Sequence, residues 1–326
     1  MHFTTRILAS FFIASLAFST SGSPAFGEET SKGWEVILCN PLLRKLEMDN
    51  VWLAAKATGA KGIEINVKSD LTCPNLFVGK ETPYRLDTSK NAAKIKIHAE
   101  QMGLKTPVIC APVNLDPKGA PAWTKKLIEM APFAGVELIY FPVTTDKFSE
   151  QTIEDSEFVR QAVAMIQEWV DLGEKHKVAI TIENLSVYWN RAEILHTVLA
   201  QFPPEKFGLN LDPINLYWFG HSINTVYAIT EEFAPRAKYF HVKNLAHPPE
   251  MQLTTRPIGF EYEKNSVPVP EGDLNFERIM GWLKNAGFQG YIGIEDDSLG
   301  HYPKDQRAGI LQHDIQYVEG IISRLK

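Results

Sequence analysis

Short apolar runs alternate with longer helical patterns along most of this chain, and that alternation limits its fold more than any other feature. The strand-like runs fall at 35–39, 62–66, 107–111, 137–143, 178–183, 208–212, 239–242 and 291–295. Helical patterns occupy 89–102, 122–130, 155–176, 191–201, 225–233 and 276–285, with a last one over 306–324. Strands that alternate with helices run parallel and connect by right-handed crossovers. Eight such units predict an α/β fold, a single closed (β/α)8 barrel. An open doubly wound sheet is the alternative, but no GxGxxG or GxxxxGK[ST] follows an early strand.

Two connections exceed what such a barrel needs, 69–87 after the second strand and 245–273 after the seventh. Both lie on the strand-to-helix side, where barrel active sites are built, and are expected as lids or substrate walls. The start of the chain reads differently. Arg6 precedes an apolar run over 7–18, and 19–27 is small and polar, ending Ala25-Phe26-Gly27. These are the three regions of a secretory signal, and the apolar run is shorter than the ~20 residues that span a bilayer. The expected organisation is a signal peptide over 1–27 and one barrel domain over 28–326, exported and most simply periplasmic, with no membrane span. The 326 residues carry 33 Lys and Arg against 39 Asp and Glu, net −6 with no basic run, which argues against a nucleic-acid partner. Three cysteines are too few for a disulfide scaffold. One bridge, Cys39–Cys73, and buried free thiols are the two readings open to them.

Four of the later strands end alike. The fifth reads Thr181-Ile182-Glu183-Asn184, the sixth Asn210-Leu211-Asp212-Pro213, the seventh His241-Val242-Lys243-Asn244 and the eighth Gly293-Ile294-Glu295-Asp296. Alternate side chains of a strand face opposite sides. Ile182, Leu211, Val242 and Ile294 take the helix-facing parity, so Glu183, Asp212, His241 and Glu295 point into the barrel at its C-terminal mouth. Three carboxylates and one imidazole converging there suit one divalent cation such as Mn2+, Co2+, Mg2+ or Zn2+. The competing reading makes each a helix cap or a lysine's partner.

These stretches resemble the xylose isomerase-like TIM barrel superfamily, and within it the sugar phosphate isomerase/epimerase group. The segments Val269-Pro270-Glu271-Gly272-Asp273-Leu274-Asn275-Phe276 and Gly290-Tyr291-Ile292-Gly293-Ile294-Glu295 add to the resemblance, which covers most of the mature chain. It implies that Glu183, Asp212, His241 and Glu295 hold one divalent metal, and that Glu183 and Glu295 also form an acid/base pair. It implies a metal-dependent sugar isomerase or epimerase acting through an enediolate. Two positions depart from the pattern: Asn215 stands where the family often has a histidine, and Asn244 where an aspartate often follows His-x-Lys. The substrate pocket is therefore expected to differ from that of a typical ketose epimerase.

Around the four ligands, Glu64, Asn215, Trp218, Lys243 and His247 are the expected substrate-binding residues. Lys243 shares the parity of His241 and reaches a substrate oxygen or snorkels at the rim. Glu64 has inward parity on the second strand and contacts substrate or sits in a buried ion pair. Trp189, Tyr217, Trp218 and Phe219 follow strands five and six, where aromatic faces suit a sugar ring or simply pack. His247 is better placed than His221 or His301. Export and the lack of an arginine-rich phosphate cradle argue for a non-phosphorylated carbohydrate. Other readings are a lyase or hydrolase on oxidised (3-keto) glycosides and a non-catalytic periplasmic carbohydrate-binding protein. The aromatics near Trp218 suit a homodimer contact.

Overall fold

The eight apolar runs close into one ring of parallel strands. The structure is a computed structural model that describes residues 33–326, so the expected signal segment 1–27 lies outside the described residues. The strands are β1 (Glu35–Cys39), β2 (Gly62–Asn66), β3 (Lys105–Cys110), β4 (Leu138–Phe141), β5 (Ala179–Glu183), β6 (Phe207–Leu211), β7 (Ala237–Val242) and β8 (Tyr291–Ile294). Each pairs with its neighbours in the chain, and β8 closes on β1. A helix follows every strand: α1 (Val51–Ala57), α2 (Ser89–Gln101), α3 (Ala122–Met130), α4 (Asp155–His176), α5 (Ala192–Leu199), α6 (Ile223–Phe233), α7 (Phe276–Asn285) and α8 (Lys304–Leu325). This is the expected (β/α)8 barrel.

Strand parity sorts the side chains into two cores. Ile65, Ile109, Ile139, Ile182, Leu211 and Ile294 bury outward against the helices. Ile37, Val108, Leu138, Tyr140, Tyr239 and Tyr291 pack inside the ring. Each fully buried apolar side chain contributes ~1.5–3 kcal/mol, so a one-residue slip that exchanged the two sets would be prohibitive. That penalty fixes which polar residues face inward.

Some boundaries differ from the sequence reading. β3 starts two residues earlier, because Lys105 pairs with Gly62. β4 stops at Phe141, before Pro142, which has no N–H for a ladder; Val143–Thr144 then pairs separately with Val113–Asn114. Both long connections are packed walls. In 69–87, Cys73, Leu76, Phe77, Tyr84 and Leu86 are buried, and the Tyr84 hydroxyl accepts from Trp52 Nε1 at 2.9 Å. The connection after β7 is held by Arg256, whose guanidinium donates to the carbonyls of Tyr217 and His221 and lies 4.3 Å over the Tyr217 ring. Among the described residues no helix is long and apolar enough to cross a membrane.

Candidate metal centre at the barrel mouth

The ends of β5 to β8 bring Glu183, Asp212, His241 and Glu295 together, with one ligand-type atom from each within 4.8 Å of the others. His241 Nδ1 lies at their centre, 3.4 Å from Glu183 Oε1, 3.5 Å from Glu295 Oε2 and 3.7 Å from Asp212 Oδ2. The first three side chains are at most 5% exposed, whereas Glu295 is 28% exposed and marks the side open to solvent.

Asp212 combines the two readings that the sequence left open. Its Oδ1 caps the short helix Pro213–Trp218, accepting from the backbone N–H of Ile214 and Asn215. Its Oδ2 faces the centre. The backbone around it is locked by Asn184, which accepts from Asp212 N at 2.7 Å and donates to Asp212 O at 2.8 Å. Asn215 Nδ2 donates to Glu183 Oε1 at 3.1 Å, so the residue that departs from the family pattern steadies the Glu183 side chain. Asn244 serves the scaffold, since its amide bonds the backbone of Val269 and Leu274.

Glu64 is buried inside the barrel. Tyr140 Oη donates to its Oε1 at 2.8 Å, and Oε2 receives Tyr239 Oη at 2.8 Å, His241 Nε2 at 3.1 Å and the Cys39 thiol at 3.4 Å. Oε2 takes three of these donors and Oε1 one, so four buried groups pin the carboxylate inside the barrel. Of the two readings open for Glu64, the structure shows the buried ion pair, a post behind the imidazole. Gly293 makes room for it, because a Cβ there would fall 2.0 Å from the Tyr239 hydroxyl oxygen. The sequence reading missed Tyr140 and Tyr239, although both carry the inward parity. The Cys39 sulfur also lies 3.7 Å from His241 Nε2.

The Glu64 bond places an N–H on Nε2, and Nδ1 is then directed at the three carboxylates. Among the described residues, His241 Nδ1 and Asp212 Oδ2 are buried with no hydrogen-bond partner. Such atoms are costly unless something binds them. Lys243 Nζ donates to Glu295 Oε2 at 2.7 Å and lies 3.0 Å from Asp212 Oδ2, close enough to attract it without hydrogen-bond alignment. Four carboxylates, counting Glu64, face one lysine and one histidine. Even with both bases protonated, two negative formal charges remain, which one divalent cation would balance. Two buried orphan atoms, the charge excess and an O3N donor set all fit such an ion.

The same surroundings set the ionisation. Burial raises Glu183 above the usual carboxylate range. Burial also opposes charge on Asp212 and Glu295, but Lys243 outweighs it and holds both low. Burial disfavours charge on His241, yet Cys39 and Tyr239 beside it, and then Asp212, outweigh burial and hold it well above its ordinary value.

The other sequence candidates take more varied places. Trp218 is half-buried at the rim against Phe148, ring centroids 4.9 Å apart. His247 is built into the wall: its Nδ1 accepts from Asn265, and its ring lies 5.0 Å from that of Tyr217. Burial and Arg256 lower its pKa, keeping it neutral. Trp189, expected at the mouth, is fully buried against Phe158 with its N–H on the Val143 carbonyl. Tyr217 is buried too, with its hydroxyl on Asp273. All three cysteines are buried and free, so the Cys39–Cys73 bridge does not form.

Fold and centre together define a closed (β/α)8 barrel with a carboxylate-rich ligand cluster at its C-terminal mouth. The family model for xylose isomerase-like TIM barrels matches residues 52–319, and the chain belongs to that family. No curated protein sequence matches it. Solved structures with the same fold include the IOLI protein with a zinc atom (TM-score 0.60, 16% identity, 90% of this chain and 99% of that one). Another is a xylose isomerase-like TIM barrel protein from Mycobacterium smegmatis in complex with magnesium (TM-score 0.59, 13% identity, 86% and 98%). A third is L-ribulose 3-epimerase (TM-score 0.62, 10% identity, 90% and 95%). At such identities the likeness shows the fold.

Proposed function

We propose that this protein is an isomerase or epimerase of a non-phosphorylated carbohydrate that depends on a divalent metal held by Glu183, Asp212, His241 and Glu295. The observation that carries this reading is the orphaned His241 Nδ1, facing three carboxylates at 3.4–3.7 Å. The zinc and magnesium in two structurally similar proteins support it. A bound divalent ion would supply Lewis-acid polarisation of a sugar carbonyl, which acidifies the neighbouring C–H. Glu183 and Glu295 stand at the ends of β5 and β8, with Asp212 and His241 between them, so they can act on a sugar from two sides. One carboxylate takes the α-proton to leave an enediolate, and the other returns a proton, a contribution of ~10²–10⁴-fold. Asn215 restrains the Glu183 side chain, and Lys243 balances charge beside Glu295. Export, through a signal over 1–27, belongs to the same proposal and accounts for a substrate without phosphate.

The test incubates the metal-loaded protein with free aldoses and ketoses in D2O and follows the C–H next to the carbonyl by proton NMR. Deuterium uptake with isomer formation, lost in Glu183→Gln and in Glu295→Gln, is expected. Unchanged exchange in either variant removes the pair. Release of an aglycone in place of an isomer would shift the reading to elimination from glycosides.

A further inference from the structure

We propose that a groove beside the barrel mouth is a second sugar subsite, so that the substrate is a glycoside or oligosaccharide whose next ring lies against Trp123. This inference rests on the reading of the metal centre as the site of the reacting sugar. The groove encloses about 430 Å3 between the connections that follow β2, β3 and β4. That volume lies within the ~300–1,000 Å3 of small-molecule sites. Its lining includes Pro112, two residues past the end of β3, and Thr144, three past the end of β4, so it opens on the same end of the barrel as the metal centre.

The groove is rigidly made. Val113–Asn114 and Val143–Thr144 form a parallel pair, extended by Val113 N to Pro142 O at 3.0 Å and Leu115 N to Thr144 O at 2.7 Å. Trp123, in the first turn of α3, is half-buried and supplies a ring; its indole N–H has no hydrogen-bond partner among the described residues. Thr144 Oγ1 donates to Asn114 Oδ1 at 3.1 Å, which orients the amide and leaves both Nδ2 hydrogens to bind a ligand. Asp116 Oδ1 accepts from Lys118 N at 2.8 Å, and Oδ2 remains as an acceptor. Ser69 adds an exposed hydroxyl.

An aromatic face beside an amide donor and a carboxylate acceptor is the chemistry that grips a sugar ring. The apolar C–H face packs on the indole, while neighbouring hydroxyls donate to the carboxylate and accept from the amide. No lysine, arginine or histidine lines the groove. A phosphate or carboxylate there would meet Asp116 with no cation to compensate, so the ligand is a neutral polyol.

The test is calorimetry of the metal-loaded full chain with xylobiose, cellobiose and maltose, each against its monosaccharide. At least one disaccharide should bind about tenfold more tightly than its monosaccharide. Trp123→Ala and Asn114→Ala should each erode that advantage while leaving monosaccharide affinity unchanged. No disaccharide advantage, or one that survives both substitutions, overturns the subsite. Asp212→Asn separates this outcome from failure of the metal-centre reading. If it weakens all sugars while Trp123→Ala changes nothing, the groove falls and the centre stands. If it changes nothing while Trp123→Ala removes disaccharide binding, the groove stands and the centre falls.

Discussion

His241 Nε2 lies 3.1 Å from Glu64 Oε2, and this bond directs the opposite ring nitrogen at three carboxylates. Glu64 is itself held by the Tyr140 and Tyr239 hydroxyls, so a residue on β2 sets the imidazole of β7 across the barrel. Glu64→Gln should keep the fold and weaken divalent-metal affinity ~10–100-fold, the usual effect of losing a ligand's supporting hydrogen bond. Competition with a chromophoric chelator measures it. Unchanged affinity would show that the post does not orient the ligand.

Lys243 competes for the same carboxylates. Its ammonium sits against Glu295 and Asp212, which together outweigh the effect of burial and hold it charged. Lys243→Met removes a positive charge from beside the cation site and should raise metal affinity about tenfold or more. The metal-free variant should melt at a lower temperature than the metal-free parent, because its carboxylates repel without a counter-charge. Weaker metal binding in Lys243→Met would instead place the lysine among the groups that support the ion.

Much of this arrangement was legible in the sequence. Apolar alternation placed Glu183, Asp212, His241 and Glu295 on one parity, and burial of the other parity forces that outcome. For Glu64 and Trp189 the sequence left two readings open, a buried ion pair or substrate for the first and packing or a sugar face for the second, and gave no means to choose. Parity tells that Glu64 faces inward, but not that Tyr140 and Tyr239 spend their hydroxyls on it. Those partners are 76 and 175 residues away in the chain. Trp189 follows β5 at the mouth as expected, yet the short helix Ser186–Trp189 carries it into the layer beside Phe158. Loop aromatics have no periodicity from which such a direction could be read.

A buried acid pair ties the last helix to the residue after Glu295. Asp314 on α8 is pushed up to about 9, first by burial and then by Asp296, which is also raised by burial. The unfolded chain releases the Asp314 proton near its ordinary value of 3.8, and the folded protein holds it to about pH 9. The native state therefore binds more protons between these values, so this stabilisation is complete below pH 3.8 and is lost as pH rises through about 9. Asp314→Asn can donate to Asp296 without titrating and should flatten the decline, by up to ~1.4 kcal/mol per pH unit for one proton. Urea unfolding of parent and variant from pH 5 to 9.5 measures the difference. Parallel curves would show that the pair shares no proton.

The thiols offer a check on the interior. Cys39, Cys73 and Cys110 are buried and free, and burial pushes each thiol up. Low thiolate content and low access both suppress reaction. A thiol-specific reagent at pH 8 should label none of them in the native protein and all three after denaturation. One labelled thiol in the denatured, unreduced chain would instead show that two of them are bridged.

Metal analysis of the purified protein beside Asp212→Asn tests the metal centre most directly. Asparagine keeps an oxygen to cap the helix Pro213–Trp218, so the variant should fold, while its second atom cannot serve as an anionic ligand. Close to one divalent ion per chain in the parent, and almost none in the variant, is the result expected. Absence of bound metal, with no rise in melting temperature on adding Mn2+, Co2+ or Zn2+, would contradict the account.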